Sequence, residues 1–263
     1  MNTDSWSTLL KRAADLMNEH GDIGRTQIKQ LLDDRRTDRL ESSENSEYQT
    51  DTERQTGDNK PPTPPESASI SAQEPKTESE LSITEPATDP MPTSVVVDAD
   101  VFVADFLCGS DTDARQAIEI LWTHSWMTLF ASNTLLTDAQ ALIATLATDQ
   151  LAREWRAHMT DWCSIVTHPP DDHPALATAY RGGAMHILSF NDQLRSVQAG
   201  ASLRGQFPVS VRDPAAYTAV FSPDRLYNAT VSDTDTDTDT DTDTDTDTDT
   251  DTYPGPDRAS RMQ

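Results

Sequence analysis

SVVVDADVFVADF, residues 94–106, decides how the rest of the chain reads. The apolar run Ser94–Val97 is the length of a strand and rich in β-branched side chains, and it ends on an acid, Asp98. A helical stretch follows near residues 99–107, so a short apolar strand passes straight into a helix. Further along, Ala114, Ala117, Ile118, Leu121 and Trp122 fall at the i, i+3, i+4, i+7, i+8 spacing of an amphipathic helix. Next come MTLFA at 127–131, a helix from Leu135 to Leu146 continuing as another to His158, and SIVT at 164–167. A helix from Pro174 to Arg181 is stopped by Gly182-Gly183, and MHILS at 185–189 and VSV at 209–211 supply two more strands. Asp213-Pro214 places an N-cap before a proline at the first helical position and opens the last element. Short apolar strands alternating with helices predict an α/β three-layer sandwich around a mainly parallel sheet covered on both faces, over residues 94–227.

The flanks read differently. Residues 1–39 predict a helical hairpin broken at Gly21, with Trp6, Leu9, Leu10, Ala13, Leu16 and Met17 on one face and Ile23, Ile28, Leu31 and Leu32 on another. A hairpin this small is marginal alone, so its expected role is to recruit a protein partner or to self-associate into a homodimer. GDIGRTQIKQLLDD resembles part of a helix-turn-helix, but a third helix is missing. Residues 40–93 hold eight of the sixteen prolines among Ser, Thr, Glu and Gln, too little apolar surface to offset chain entropy, and read as a disordered linker. Residues 228–263 contain ten Asp-Thr pairs from Asp233 to Thr252 and read as a disordered, self-repelling acidic tail.

The 263 residues carry a net charge of −25. Within 94–227 there are 15 acids against 8 arginines and no lysine, so acidity runs through the folded part too. A surface of hydrated carboxylates suits a molar-salt cytoplasm, and a halophilic source is the expectation. Cys108 and Cys163 lie in apolar sequence, too few for a disulfide framework or zinc site, and read as buried thiols. Without a basic–apolar leader or a run of about 20 apolar residues, a soluble, cytoplasmic protein is expected.

In an open parallel sheet, ligands gather beyond the carboxyl ends of the strands. Acids and amides recur there. Asp98 and Asp100 follow the first strand, Asn191 and Asp192 follow MHILS, and Asp171 and Asp172 precede the Pro174 helix. Asp138 lies at the edge of an apolar helical stripe, where an acid is costly unless it faces a polar cleft. Each also has an ordinary reading as a turn residue, a helix cap or a solvated side chain.

The order of these motifs resembles the PIN-domain family. VVVDADVFV resembles its opening strand and first acid, and ASNTLLTDAQALI the segment with its second. DDHPALATAYRGGAMHILSFNDQL resembles the third acid, its helix and the last core strand, and VSVRDPAAY the closing strand and helix. The likeness covers nearly all of 94–227 and is closest to divergent haloarchaeal PIN-like proteins. It implies metal-binding acids at Asp98, Asp138 and Asp172, with Asn191 where a fourth acid usually stands. It further implies Mg²⁺ or Mn²⁺ as cofactor and RNA as substrate, cleaved by a metal-bound water. Asn191 brings no negative charge and Asp138 is one methylene shorter than the family's usual Glu, so a catalytically weakened or inactive binding or regulatory protein is the alternative. For RNA at high salt, Arg181, Arg195, Arg204 and Arg212 are candidate short-range contacts. His168 and His173 flank a proline-stiffened loop and do not read as a metal pair. Trp122, Trp126, Trp155 and Trp162 read as packing side chains.

Overall fold

The computed structural model describes residues 5–21, 23–52, 89–169, 172–196, 200, 208–232 and 253–263. Two compact units are present, one formed by Met1–Arg35 with Pro86–Gln263 and the other by Arg36–Glu85. The first unit begins with α1 (Trp6–His20), which stops at Gly21 in a positive-φ conformation, and the start of α2 (Arg25–Thr52). It continues with β1 (Met91–Val97), α3 (Ala99–Leu107), α4 (Asp113–Thr123), β2 (Thr128–Ser132), α5 (Asn133–Leu146), α6 (Asp149–Trp162) and β3 (Ser164–Val166). After these come α7 (Pro174–Gly182), β4 (Ala184–Leu188), β5 (Ser210–Arg212), α8 (Pro214–Val220) and α9 (Pro223–Ser232).

The five strands form one sheet in the order β3-β2-β1-β4-β5, every pairing parallel. Val96 sits between Phe130 on β2 and Ile187 on β4, and Leu188 lies beside Arg212 on β5. Residues 93–97 of β1 are all buried, as a strand covered on both faces requires. Side chains alternate along β2: Phe130 meets the end of α7, where a Cβ on Gly182 would fall 2.7 Å from its ring, while Leu129 and Ala131 are buried on the other face. The α/β sandwich expected from the sequence is therefore the fold.

Local signals set the helix ends. Ser132 and Thr148 cap α5 and α6 through their hydroxyls, and the Asp213 carboxylate accepts from Ala215 N at 2.9 Å ahead of Pro214. Gly183, left-handed at φ 67°, ends α7.

Several boundaries differ from the sequence reading. The hairpin is no separate module. Trp6, Leu9, Leu10, Ala13, Met17, Ile28 and Leu32 are buried in the same core as the sheet, and α1 packs on α3 and α6, where Arg12 pairs with Glu154. The stripe set aside for a partner is covered by the chain's own helices, because a helical pair this short gains its stability by burying that stripe. Helix α2 runs to Thr52, beyond the expected linker boundary at 40, since no proline or glycine interrupts residues 25–52. Strand β1 opens at Met91 rather than Ser94. Most of the remaining linker and the Asp-Thr repeat lie outside the described residues, as do Asp171 and Arg204.

The expected tail from 228 to 263 is corrected at both ends. Helix α9 reaches Ser232, and residues 253–263 return to the domain, where Arg261 is buried. Arg261 and Tyr253 give this segment the anchors that the repeat lacks. Cys163 is buried, and burial pushes its thiol up; half-buried Cys108 donates to Ile23 O. No described helix is long and apolar enough to cross a membrane.

Candidate functional site at the carboxyl edge

From β1 the chain steps outward through β2 to β3, then crosses back to place β4 and β5 on the other side. The switch point, where a crevice opens in such sheets, lies between the ends of β1 and β4. Asp98 stands there as the N-cap of α3. Its Oδ1 accepts from Ala99 N at 2.8 Å, its Oδ2 accepts from Ser189 Oγ at 3.0 Å, and its own N donates to Leu188 O. Asp100, in the first turn of α3, accepts from Phe190 N at 3.0 Å. Ser189 Oγ in turn accepts from Asn191 N, and Asn191 Oδ1 accepts from Gln193 N at 2.9 Å. Both buried acids therefore hold the turn after β4 against the end of β1. That is hydrogen-bond work for a carboxylate, and it fixes the floor of the crevice.

Asp138 projects from the second turn of α5 and is 1% exposed, the edge-of-stripe position that the sequence marked as costly. It accepts from Arg35 Nε at 3.1 Å, and the Arg35 side chain is 40% exposed. Arg35 belongs to α2, and the same helix makes two more contacts in this region. Lys29 Nζ reaches Asp192 at 3.4 Å, and the Arg25 guanidinium lies over the Phe190 ring at 4.5 Å while pairing with Asp113 at 2.6 Å. Positions 25, 29, 32 and 35 fall along one face, with Leu32 buried among the cations. The basic face of α2 thus lies on the acids of the carboxyl edge. Sequence reading marked Asp138 and Asp192 but not the cations that meet them, and gave the apolar faces of the hairpin to a partner.

Asp172 is exposed just ahead of α7, and Asp192 is exposed and paired with Arg195, which also reaches Asp213 at 3.5 Å. His168 bonds Ser132 Oγ through Nε2 at 3.0 Å. Among the described residues, no three His, Cys, Asp or Glu side chains form a group that could hold a metal ion. Asp98 bonds Ala99 N and Ser189 Oγ, Asp138 accepts from Arg35, and Asn191 uses its carbonyl oxygen on its own turn.

A second polar cluster went unread in the sequence. Arg261 straddles the Asp105 carboxylate with two nitrogens, at 2.9 and 3.1 Å, and its Nε meets Glu119 at 3.1 Å. Arg115 adds a third contact to Asp105 at 2.6 Å. Burial alone pushes the Asp105 carboxyl up, but Arg261 and Arg115 together outweigh it and hold it below its ordinary value. One signal was available: Arg258 and Arg261 are the sole basic residues after Tyr227.

Fold and edge together define an open, all-parallel α/β sandwich whose switch-point acids are tied into its own turns and helices. The chain belongs to DUF7384, a family of unknown function, whose model matches residues 89–261. That span reaches past the sheet and through the Asp-Thr repeat to Arg261. No curated protein and no solved structure matches the chain.

Proposed function

We propose that the chain is a PIN-like binding and regulatory protein, whose acidic carboxyl edge holds cationic protein segments rather than a catalytic metal. The carrying observation is the contact of α2 with that edge: Arg35 on Asp138 and Lys29 on Asp192. The buried hydrogen bonds of Asp98 and Asp100 support the same reading, since they commit two acids to shaping the crevice. A parallel 3-2-1-4-5 sheet with an acid directly after its central strand supports the PIN-like part. A protein partner of the N-terminal helices would meet their outer polar face, and a soluble, cytoplasmic setting suits the acidic surface.

The rival is a Mg²⁺- or Mn²⁺-dependent endoribonuclease using Asp98, Asp138 and Asp172. A mixed RNA panel incubated at molar salt with the full chain and Mn²⁺, beside Asp98→Asn and Asp138→Asn variants, separates the two. The binding reading expects no cleavage above the variants and no stoichiometric Mn²⁺ uptake by calorimetry. Cleavage abolished in both variants overturns it and establishes the nuclease.

A further inference from the structure

The final eleven residues lie on the domain as a ligand lies in a groove. The Tyr253 hydroxyl and His124 Nε2 share a hydrogen bond at 2.5 Å, while His124 Nδ1 donates to Ile120 O. Asp257 caps the chain at Ser125, accepting from its N at 2.8 Å and from its hydroxyl. Main-chain bonds follow: Asp257 N and Arg258 N both donate to Thr123 O, and Trp122 Nε1 donates to Ala259 O at 2.8 Å. Arg258 lies over the Trp122 ring at 5.6 Å. Arg261 then enters fully, its guanidinium 5.3 Å from the Trp6 ring and 5.9 Å from Trp162, with Asp105 and Glu119 beneath it. Aromatic walls around paired carboxylates make a receptor for guanidinium, which stacks and bonds bidentately at once.

We propose that this groove is a recognition site for arginine-bearing peptides of the form Asp-Arg-x-x-Arg, and that residues 257–261 occupy it as an exchangeable intramolecular ligand. Three observations converge. Recognition is segmental, with a hydroxyl, a carboxylate, a backbone run and a guanidinium each meeting its own partner. The occupant is joined to α9 through 20 residues of Asp and Thr, which contain no apolar anchor. Its most buried member, Arg261, gets its partners from α1, α3, α4 and α6, so the receptor is formed by the domain without help from the tail. Because the segment is covalently joined to the domain, it competes at a raised effective concentration, which keeps the site filled while a free peptide can still displace it. The occupant to which the proposal commits is residues 257–261 of this chain, in cis.

The test uses the full chain and a fluorescein-labelled peptide of sequence YPGPDRASRMQ, followed by anisotropy. The Arg261→Ala chain, whose own tail competes poorly, is expected to bind the peptide at least about tenfold more tightly than the wild-type chain does, as tether competition requires. A peptide carrying Arg261→Ala is expected to show no binding to either. Failure of the wild-type peptide to bind an Arg261→Ala chain with native circular dichroism overturns the proposal, as does equal binding by the altered peptide. If that variant does not fold, the wild-type chain with a protease site inserted in the Asp-Thr repeat answers the question. After cleavage the freed segment should exchange with labelled peptide on dilution; retention without exchange shows an integral piece of the fold and overturns the proposal.

Discussion

Two guanidinium–carboxylate pairs sit at opposite extremes of arginine burial, and their difference separates a strongly held contact from a weakly held one. At the tail groove, Arg261 is 0% exposed and bonds both oxygens of a buried Asp105. At the carboxyl edge, the acid is just as buried, but Arg35 remains 40% exposed and offers one nitrogen at 3.1 Å. Charges removed from water are costly to leave unpaired, whereas a guanidinium that keeps its hydration can leave with little loss. The first pair therefore acts as a clamp and the second as a latch.

The largest way to break this contrast is Arg261→Ala. It leaves Asp105 and Glu119 with Arg115 as their remaining cation in this cluster and should lower unfolding stability by about 3–5 kcal/mol, read by urea denaturation at neutral pH. Acid titration sharpens the point. The folded Asp105 carboxyl lies below its ordinary value of 3.8, so its stabilisation is complete above that pH and is lost as pH falls through the folded value. In the variant the acid unfolding limb should move to higher pH. An unmoved limb would mean that Arg115 alone sets the behaviour of Asp105.

Next in size is Asp98→Ala, which probes the acids that serve the fold rather than a ligand. Removing the carboxylate strips α3 of its cap and leaves the buried Ser189 hydroxyl without its acceptor. A loss of about 2 kcal/mol is expected. Asp98→Asn, keeping an oxygen for the cap, should recover about half. Hydrogen exchange at residues 189–191 is the accompanying readout, since the turn after β4 should open before the sheet does.

How much of this was legible in advance follows from the range of the interactions. Strands such as Ser94–Val97 and caps such as Asp213-Pro214 announce themselves because burial on two faces and helix capping act within a few residues. Asp138 was also legible as an anomaly: an acid at the edge of an apolar stripe needs a polar neighbour, though its spacing cannot say which. The neighbour proved to be Arg35, 103 positions away. The apolar stripe of α1 was read correctly as an interface but given to a partner, because a sequence shows that a face must be covered without showing by what. Arg261 was hidden by contrast, lying nine residues from the repeat's end beyond a run with no packing signal at all. The expectation of a shared site at Asp98, Asp138 and Asp172 rested on the order of motifs, and order along a chain does not set side-chain direction.

Smaller again is Arg35→Ala. Because the arginine is partly hydrated when bound and its truncation lets water reach the Asp138 carboxylate, its loss should cost about 1 kcal/mol at low salt, and the cost should shrink further near 1 M salt, where the screening length is about 3 Å. The Arg261→Ala penalty, set in a dry site, should change little over the same range. Equal salt dependence of the two would erase the distinction between clamp and latch.

Lys29→Ala is the limit of the series. Its ammonium stands 3.4 Å from an Asp192 side chain that is 75% exposed and already held by Arg195. An exposed pair of this kind gains little Coulomb energy against the entropy of a long side chain, so the stability change should stay below about 0.5 kcal/mol at any salt. Its consequence should instead be kinetic and local. With Lys29 gone, one of the contacts holding α2 on the edge is lost, and amide exchange in residues 25–35 should quicken while the core strands keep wild-type protection. Faster exchange in α2 with unchanged global stability identifies the helix as a separately opening element. Unchanged exchange places its hold on the edge in Ile28 and Leu32, whose burial would then make α2 part of the core and not a latch.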